Sequence, residues 1–369
     1  MKVISLQWKR IIESILLIIV LASGYLVNIK KVPFHGDEST WIATSLFLEA
    51  AINPNFSPPE WNFGSNLTEE VIAEFPSWVK DGLGDMQPPN DTWDTYLWTL
   101  DQPMMGRYII ATGRLLFGIT TAELNNPWEY WVNEAENIAR GNYPSAELLF
   151  SARLIMTVLA ICSGIILFLL VRKSTGVIAG WCFVFFYAGS SYLLTHLRRA
   201  MGESPTLFFT CLAMLAGWQA LCSWEKKQNR FWSIFWLALM GVAAGLAGAS
   251  KLNGLGIAFG GVLLAWLMAF SKQREIHLRE RLVVSLGGSL LVLGFCIGIF
   301  FIVDPYLYPN PLARTAAMFT LRARELLIQQ QNPIWGITTF NQWIDIIPRG
   351  LLDEYAVFHL GFINGLLGL

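Results

Sequence analysis

Long apolar stretches constrain this 369-residue chain more than any other feature of its sequence. An α-helix rises about 1.5 Å per residue, so about 20 apolar residues cross the roughly 30 Å hydrocarbon core of a bilayer. Charged residues make up 14% of the chain, against about 25% in soluble domains. The sequence therefore predicts an all-α integral membrane protein with about seven spans. The predicted spans are residues 11–29, 154–171, 177–194, 206–221, 231–249, 255–270 and 282–303.

Lysine and arginine concentrate in short connections that fall on one side of the predicted bundle. The positive-inside rule places that side in the cytoplasm, together with the N-terminus. The membrane is then a bacterial inner (plasma) membrane or the endoplasmic reticulum membrane. Residues 1–303 form the predicted transmembrane module, with an outer loop at 30–152, and residues 304–369 form an outward-facing C-terminal segment. The basic connections are Lys9-Arg10, Arg172-Lys173, residues 226–230 and residues 272–281.

The outer loop is long and rich in tryptophan. Loops of such length are usually functional or disordered, and indole rings prefer the membrane–water boundary. Residues 38–51 and 104–119 have the periodicity of amphipathic helices, so we expect helices lying along the interface. The net charge of −1 and the lack of a basic tail give no indication of a nucleic-acid partner.

An acidic motif, His35-Gly36-Asp37-Glu38, lies a few residues beyond the outer end of the first span. A carboxylate at this boundary suits a general base that takes a proton from an acceptor hydroxyl. The alternative is a solvated acidic pair in which Asp37 is the N-cap of an interfacial helix. Taken without the other motifs, the capping interpretation is favoured.

A second motif, Asp101-Gln102-Pro103, leads into an apolar helix that carries Arg107 in its first turns. Asp101, Gln102 and Arg107 are candidates for acceptor binding or for support of the site. Proline near a helix start is also typical of an ordinary interfacial helix, so this motif is weak without a wider context.

Cations form the third group, at the predicted outer ends of the later spans. Each one can be explained as a side chain that reaches toward lipid headgroups. The positive-inside rule disfavours cations in these short outer turns, however, so together they indicate a site for an anionic group such as a lipid phosphate. The residues are Arg153, Arg198, Arg199 and Lys251, with Glu203 beside them.

In their order and predicted side, these motifs resemble the dolichyl-phosphate-mannose protein O-mannosyltransferases and their bacterial relatives, including the lipid A aminoarabinose transferases. That family shares the GT-C membrane fold. His35-Gly36-Asp37-Glu38 resembles its His-Phe-Asp-Glu signature, and residues 102–107 resemble its His-Pro-Pro-Leu-Gly-Lys signature. Arg153 is similar to the arginine that opens the second span, residues 199–205 resemble the arginine-to-acid turn, and residues 245–255 resemble the glycine-rich helix ending in lysine.

The resemblance implies an inverting glycosyltransferase that takes a mannose-like hexose or related sugar from a polyprenyl-phosphate donor. Asp37 would be the base, and Glu38 would orient the acceptor or hold Asp37. Arg153, Arg198, Arg199 and Lys251 would bind the donor phosphate, with His35 and Glu203 in support. The acceptor is a protein, lipid or glycan hydroxyl on the outer or lumenal face. No cofactor or metal is implied for the protein-mannosylating branch.

This chain departs from the family pattern in two places. Gln102 and Met104 replace the histidine and the second proline of the second signature, and Asp101 lies one place from the expected acid. After Asp304 the sequence lacks the further helices that close the family's C-terminal half, which predicts either a truncated sequence or a short variant working with a membrane partner subunit. The alternative function is therefore a non-catalytic carrier, flippase or partner subunit for a lipid-linked sugar.

Overall fold

The computed structural model describes residues 2–53, 56, 73, 75–83, 102–226, 230–271, 277–308, 310–331 and 339. The described chain consists of helices joined by turns and irregular segments, and it contains no strand. The all-α prediction is confirmed. The helices are α1 (Lys2–Leu26), α2 (Gly36–Ala43), α3 (Phe47–Ile52), α4 (Ser77–Leu83), α5 (Met105–Leu116), α6 (Glu134–Ala139), α7 (Ala146–Thr175), α8 (Val177–Gly189), α9 (Ser191–His196), α10 (Glu203–Glu225), α11 (Arg230–Ser250), α12 (Ile257–Phe270), α13 (Leu278–Val303) and α14 (Pro311–Gln331).

Within the described residues, 6 helical segments are long and apolar enough to cross a bilayer. Each overlaps one of the predicted spans, which confirms a multi-pass membrane protein. Many of their large apolar side chains are exposed on the outside of the bundle, as expected where lipid is the solvent. The segments are Gln7–Lys31, Ala146–Thr175, Glu203–Glu225, Arg230–Ser250, Leu252–Phe270 and Leu278–Val303.

The remaining predicted span, residues 177–194, is divided into two helices. α8 has 13 residues, fewer than the roughly 20 that cross a bilayer as one helix. It stops at Ser190, which has an extended backbone (ψ 117°) and a side chain that accepts a hydrogen bond from the Leu193 amide as the N-cap of α9. Apolar composition does not reveal this break, because a serine within an apolar run is compatible with a continuous helix.

Two buried arginines fasten α5 to the short helices that follow α1. Arg107 Nε donates to Thr44 Oγ1 at 2.8 Å, and its guanidinium lies 4.7 Å from the Trp41 ring centre. Two turns later, Arg114 Nε donates to Ser45 Oγ at 3.0 Å and Arg114 Nη2 pairs with Glu49. Both predicted amphipathic pieces of the outer loop are thus helical, and these contacts hold them together.

Small residues bring α11 and α13 close together beneath this layer. A Cβ atom on Gly241 would lie 2.6 Å from the Val292 carbonyl oxygen, and one on Gly245 would lie 2.6 Å from the Cys296 carbonyl oxygen. Close backbone approach at small residues is a common way of packing membrane helices. The backbones of α11 and α13 are therefore packed tightly against each other.

Candidate functional site

The carboxylate of Glu38 is completely buried and forms a bidentate ion pair with Arg153 of α7. Arg153 Nε donates to Glu38 Oε1 at 2.8 Å and Arg153 Nη2 donates to Oε2 at 2.6 Å. The Ala200 amide also donates to Oε1 at 2.9 Å. Parallel bonds between a guanidinium and a carboxylate fix both position and orientation. Glu38 therefore joins α2, α7 and the turn before α10.

The rest of the Arg153 guanidinium is used by backbone groups. Nη1 donates to the carbonyl oxygens of Val32 at 2.9 Å and Ile29 at 3.4 Å, and the side chain is 1% exposed. Arg153 thus links α7 to the backbone at the end of the first span. This environment is that of an internal brace rather than of a cation that faces a ligand.

His35, rather than Asp37, caps α2. The His35 side chain accepts a hydrogen bond from the Asp37 amide at 3.2 Å, and Glu38 Oε2 accepts from the His35 amide at 3.2 Å. Together these bonds form a capping box, which satisfies amide groups that a helix start otherwise leaves unpaired. The alternative interpretation, in which Asp37 is the N-cap, is wrong, because Asp37 lies inside the first turn and its carboxylate is not used as a cap.

The Asp37 carboxylate faces outward, with 42% of its side chain exposed. The Tyr130 hydroxyl donates a hydrogen bond to Asp37 Oδ1, and His35 Nδ1 lies 3.7 Å from Oδ2. Because His35 Nδ1 accepts from the Asp37 amide, it carries no proton to donate to Oδ2 in this arrangement. Adjacent acids thus have opposite environments: Glu38 is enclosed and Asp37 is accessible.

Tyr130 is positioned by a loop, residues 125–145, that folds back over α2. Ser39 Oγ donates to the Asn142 carbonyl at 2.6 Å, and Asn125 Nδ2 donates to Ser39 Oγ at 2.8 Å. The Trp128 ring lies so close to Gly36 that a Cβ atom there would be 2.6 Å from it. The sequence analysis missed Tyr130, and the one signal available was its place in the aromatic run at residues 128–131.

A cationic turn lies between α9 and α10 and is joined to the end of α11. Lys251 Nζ donates to Glu203 Oε1 at 2.7 Å, and the two side chains are 29% and 24% exposed. Arg199 is half-buried, and its Nε donates to the Pro33 carbonyl at 3.2 Å, two residues before His35. Arg199 and Lys251 are therefore accessible cations on the side that carries the acidic motif.

His196 is a second residue that the sequence analysis missed. Burial lowers its pKa, and the nearby charges of Arg199, His35 and Lys251 lower it further, while Glu203 raises it. These electrostatic contributions mean that residues far apart in the sequence share one neighbourhood. The imidazole also packs on Tyr192, with 4.2 Å between ring centres. We call this neighbourhood the outer site: Asp37, His35, Tyr130, His196, Arg199, Glu203 and Lys251.

Other predicted residues lie apart from these exposed groups or outside the described residues. Arg198 donates through Nη1 to the Val27 carbonyl at 2.9 Å and through Nε to Leu194, and burial lowers its pKa. Arg107 is 2% exposed and binds the Gln102 and Pro103 carbonyls through Nη1. Asp101 lies outside the described residues. Among those described, no group of three His, Cys, Asp or Glu residues is placed to hold a metal ion.

Asp304, at the end of α13, is a further buried acid. It is 0% exposed, and neither carboxylate oxygen has a hydrogen bond of normal geometry from the described residues. Burial raises its pKa to about 7, against the smaller lowering effects of Arg107 and of the Tyr306 amide. A fully buried carboxyl group favours the protonated form.

The fold defines a class, the multi-pass α-helical membrane proteins, in which the exposed carboxylate of Asp37 lies on the side that carries Arg199 and Lys251. The sequence profile of the dolichyl-phosphate-mannose-protein mannosyltransferase family matches residues 104–313. This match covers more than half of the chain, so the chain belongs to that family. The matched part includes Arg153, Arg199 and Lys251, whereas the acidic motif precedes it. Comparison with curated proteins gives no match.

Proposed function

We propose that this chain transfers a mannose-like hexose from a polyprenyl-phosphate donor to an acceptor hydroxyl, with inversion at the anomeric carbon. The observation that carries the proposal is the accessible carboxylate of Asp37, next to a capped and braced helix start and on the side of Arg199 and Lys251. Family membership supports a mannosyltransferase dependent on dolichyl-phosphate mannose. The family's name favours a protein hydroxyl as the acceptor.

In the proposed reaction, Asp37 accepts the proton of the acceptor hydroxyl as that oxygen forms a bond to the anomeric carbon. The bond from the anomeric carbon to the phosphate oxygen breaks, and its electron pair leaves with the polyprenyl phosphate. Arg199 and Lys251 stabilise the charge that develops on this leaving group, where fixed cations lower the barrier most. Asp37 thus receives the proton of the acceptor hydroxyl, and Arg199 and Lys251 stabilise the charge of the leaving phosphate.

Glu38 and Arg153 act in this proposal by position rather than by contact with substrate. Their ion pair and the capping box fix the start of α2, so that Asp37 projects from a rigid support. Tyr130 holds Oδ1 of Asp37 and leaves Oδ2 for the acceptor. Arg198 supports the turn through its bonds to backbone carbonyls, and His35 and Glu203 orient Asp37 and Lys251.

The outer site lies on the outer or lumenal face of the membrane in this proposal, with the N-terminus in the cytoplasm. The support is the concentration of lysine and arginine in the connections on the other side, including Arg172-Lys173 at the end of α7. The membrane is the bacterial inner membrane or the endoplasmic reticulum membrane.

The test is transfer of radiolabelled sugar from polyprenyl-phosphate donors in membranes that contain the chain or its Asp37→Asn variant. We expect label in the acceptor with the parent, and a loss of at least about 100-fold with the variant, the usual scale for losing a general base. Equal amounts of folded protein in both membranes provide the control. Unchanged transfer by Asp37→Asn would overturn the assignment of the base.

A non-catalytic carrier or partner subunit is the alternative function. The altered second signature, Gln102 and Met104, is the observation that favours it. The same experiment separates the two functions, since a carrier binds or moves the labelled lipid but forms no new glycosidic bond.

A further inference from the structure

A crevice of about 370 Å³ opens where the first span ends and α7 begins. It contains one cation and one acid among apolar and aromatic side chains. No residue of the outer site contributes to its wall. We call it the headgroup crevice, and its lining residues are Lys30, Phe117, Ile119, Ala146, Glu147 and Phe150.

The end of α5 shapes one wall of the headgroup crevice. Gly118 has a left-handed backbone (φ +74°), and its amide donates to the Leu115 carbonyl at 3.0 Å. The next amide, that of Ile119, donates to the Arg114 carbonyl at 3.1 Å. This pair of bonds is the Schellman motif, which ends a helix and reverses the chain. The reversal places Phe117 and Ile119 in the same wall.

The cation has a defined place in the crevice. Lys30 Nζ lies 4.9 Å from the centre of the Phe150 ring, within the range of a cation–π contact. Phe150 in turn packs edge-on against Phe117, with 5.9 Å between ring centres. Glu147 lies in the first turn of α7 and has an exposed side chain. A positive and a negative group are thus presented from two neighbouring helices.

The position of the crevice relative to the bilayer follows from the spans themselves. Lys30 is the second-to-last residue of the segment Gln7–Lys31. Ala146 and Glu147 are the first two residues of the segment Ala146–Thr175. The crevice therefore lies at the membrane–water boundary, whichever way the chain is oriented. Leu115, Leu116 and Phe117 are 43%, 75% and 51% exposed beside it, which suits contact with acyl chains.

We propose that the headgroup crevice binds a phosphatidylethanolamine molecule of the surrounding bilayer, with its phosphate on Lys30 and its ammonium group on Glu147. The charge pattern favours this zwitterionic headgroup over an anionic one, because an anionic lipid would leave Glu147 without a partner. A phosphatidylcholine headgroup has the same charges, but its methylated ammonium group donates no N–H hydrogen bond to a carboxylate. The aromatic wall and the exposed leucines receive the start of the acyl chains.

Native mass spectrometry of the purified full chain in detergent tests this site, with phosphatidylethanolamine, phosphatidylcholine and phosphatidylglycerol added as separate mixed micelles. We expect the parent to retain phosphatidylethanolamine about two- to fivefold more than either other lipid, the range set by exposed ion pairs of up to about 1 kcal/mol. Glu147→Gln should remove the preference over phosphatidylcholine. Lys30→Gln should lower retention of phosphatidylethanolamine and phosphatidylcholine.

Lys31→Gln is the matched control, since Lys31 is the exposed neighbour of Lys30 and does not line the crevice. It should retain lipids as the parent does. The proposal is overturned if the parent retains all lipids equally or prefers phosphatidylglycerol. It is also overturned if Lys31→Gln lowers retention as much as Lys30→Gln, because general surface charge would then explain the binding.

Discussion

Arg153 and Glu38, which are 115 residues apart in the sequence, meet in a buried two-point ion pair with N–O distances of 2.8 and 2.6 Å. Their side chains are 1% and 0% exposed. Glu38 also completes the cap of α2 and accepts from the Ala200 amide. The residue beside the proposed base is thus part of the framework of the fold.

Glu38→Gln should destabilise the protein strongly, because removing one partner leaves the Arg153 charge buried and unpaired. Such losses are typically about 3–5 kcal/mol. Thermal unfolding in detergent measures the effect, and Asp37→Asn is the matched control with the same chemical change one residue earlier. An unchanged melting temperature for Glu38→Gln would contradict the role of the ion pair as a brace.

Tyr130→Phe should slow transfer at saturating donor by about tenfold or more, since a hydrogen bond to a charged group is worth about 1.5–3 kcal/mol. The donor KM and the melting temperature should stay the same, because the ring and its packing are kept. Tyr143→Phe is the control: Tyr143 lies in the same loop, with its ring 4.4 Å from that of Phe34. If both variants lose activity equally, the contact between Tyr130 and Asp37 has no special role.

Arg199→Ala should reduce turnover by about 100-fold or more, in line with the loss of one group that stabilises transition-state charge. Arg198→Ala is its neighbour and comparison. Because Arg198 binds the carbonyls of Val27 and Leu194, its loss should lower the melting temperature more than the turnover per folded molecule. Steady-state kinetics with varied donor distinguish the two variants. The reverse pattern would mean that Arg198, rather than Arg199, stabilises the leaving phosphate.

Asp304 should make stability depend on pH. Its pKa is raised from 3.8 to about 7 in the folded protein, so the fold favours the protonated form. The stabilisation is complete below pH 3.8 and is lost as the pH rises to about 7, where the folded group also ionises. By the usual conversion of about 1.4 kcal/mol per pKa unit, the change is on the order of 4 kcal/mol.

Asp304→Asn removes this titration. Melting temperatures of the parent and the variant, measured from pH 4 to pH 8 in detergent, should therefore differ in slope. The variant should lose less stability than the parent across that range. Parallel curves would show that Asp304 does not titrate with the raised pKa.

Much of the fold follows from the sequence, because the lengths of apolar runs and the positions of lysine and arginine reflect the solvent of each segment. The break at Ser190 does not follow from them, since it depends on a local serine cap. Of the residues in the candidate site, His35, Asp37, Arg199, Glu203 and Lys251 were named from the sequence, whereas Arg153 and Arg198 bind protein groups instead. The distinct environments of Asp37 and Glu38 were not predicted, because they depend on contacts with Tyr130 and Arg153, far along the chain.

The close contact of α11 with α13 also limits how a lipid-linked substrate can approach. Backbone carbonyls of α13 occupy the space in which Gly241 and Gly245 would carry a Cβ atom, so this seam has no room even for a methyl group. An isoprenoid tail is much thicker than a methyl group. At the level of Gly241 and Gly245, the seam between α11 and α13 therefore has no passage for such a tail.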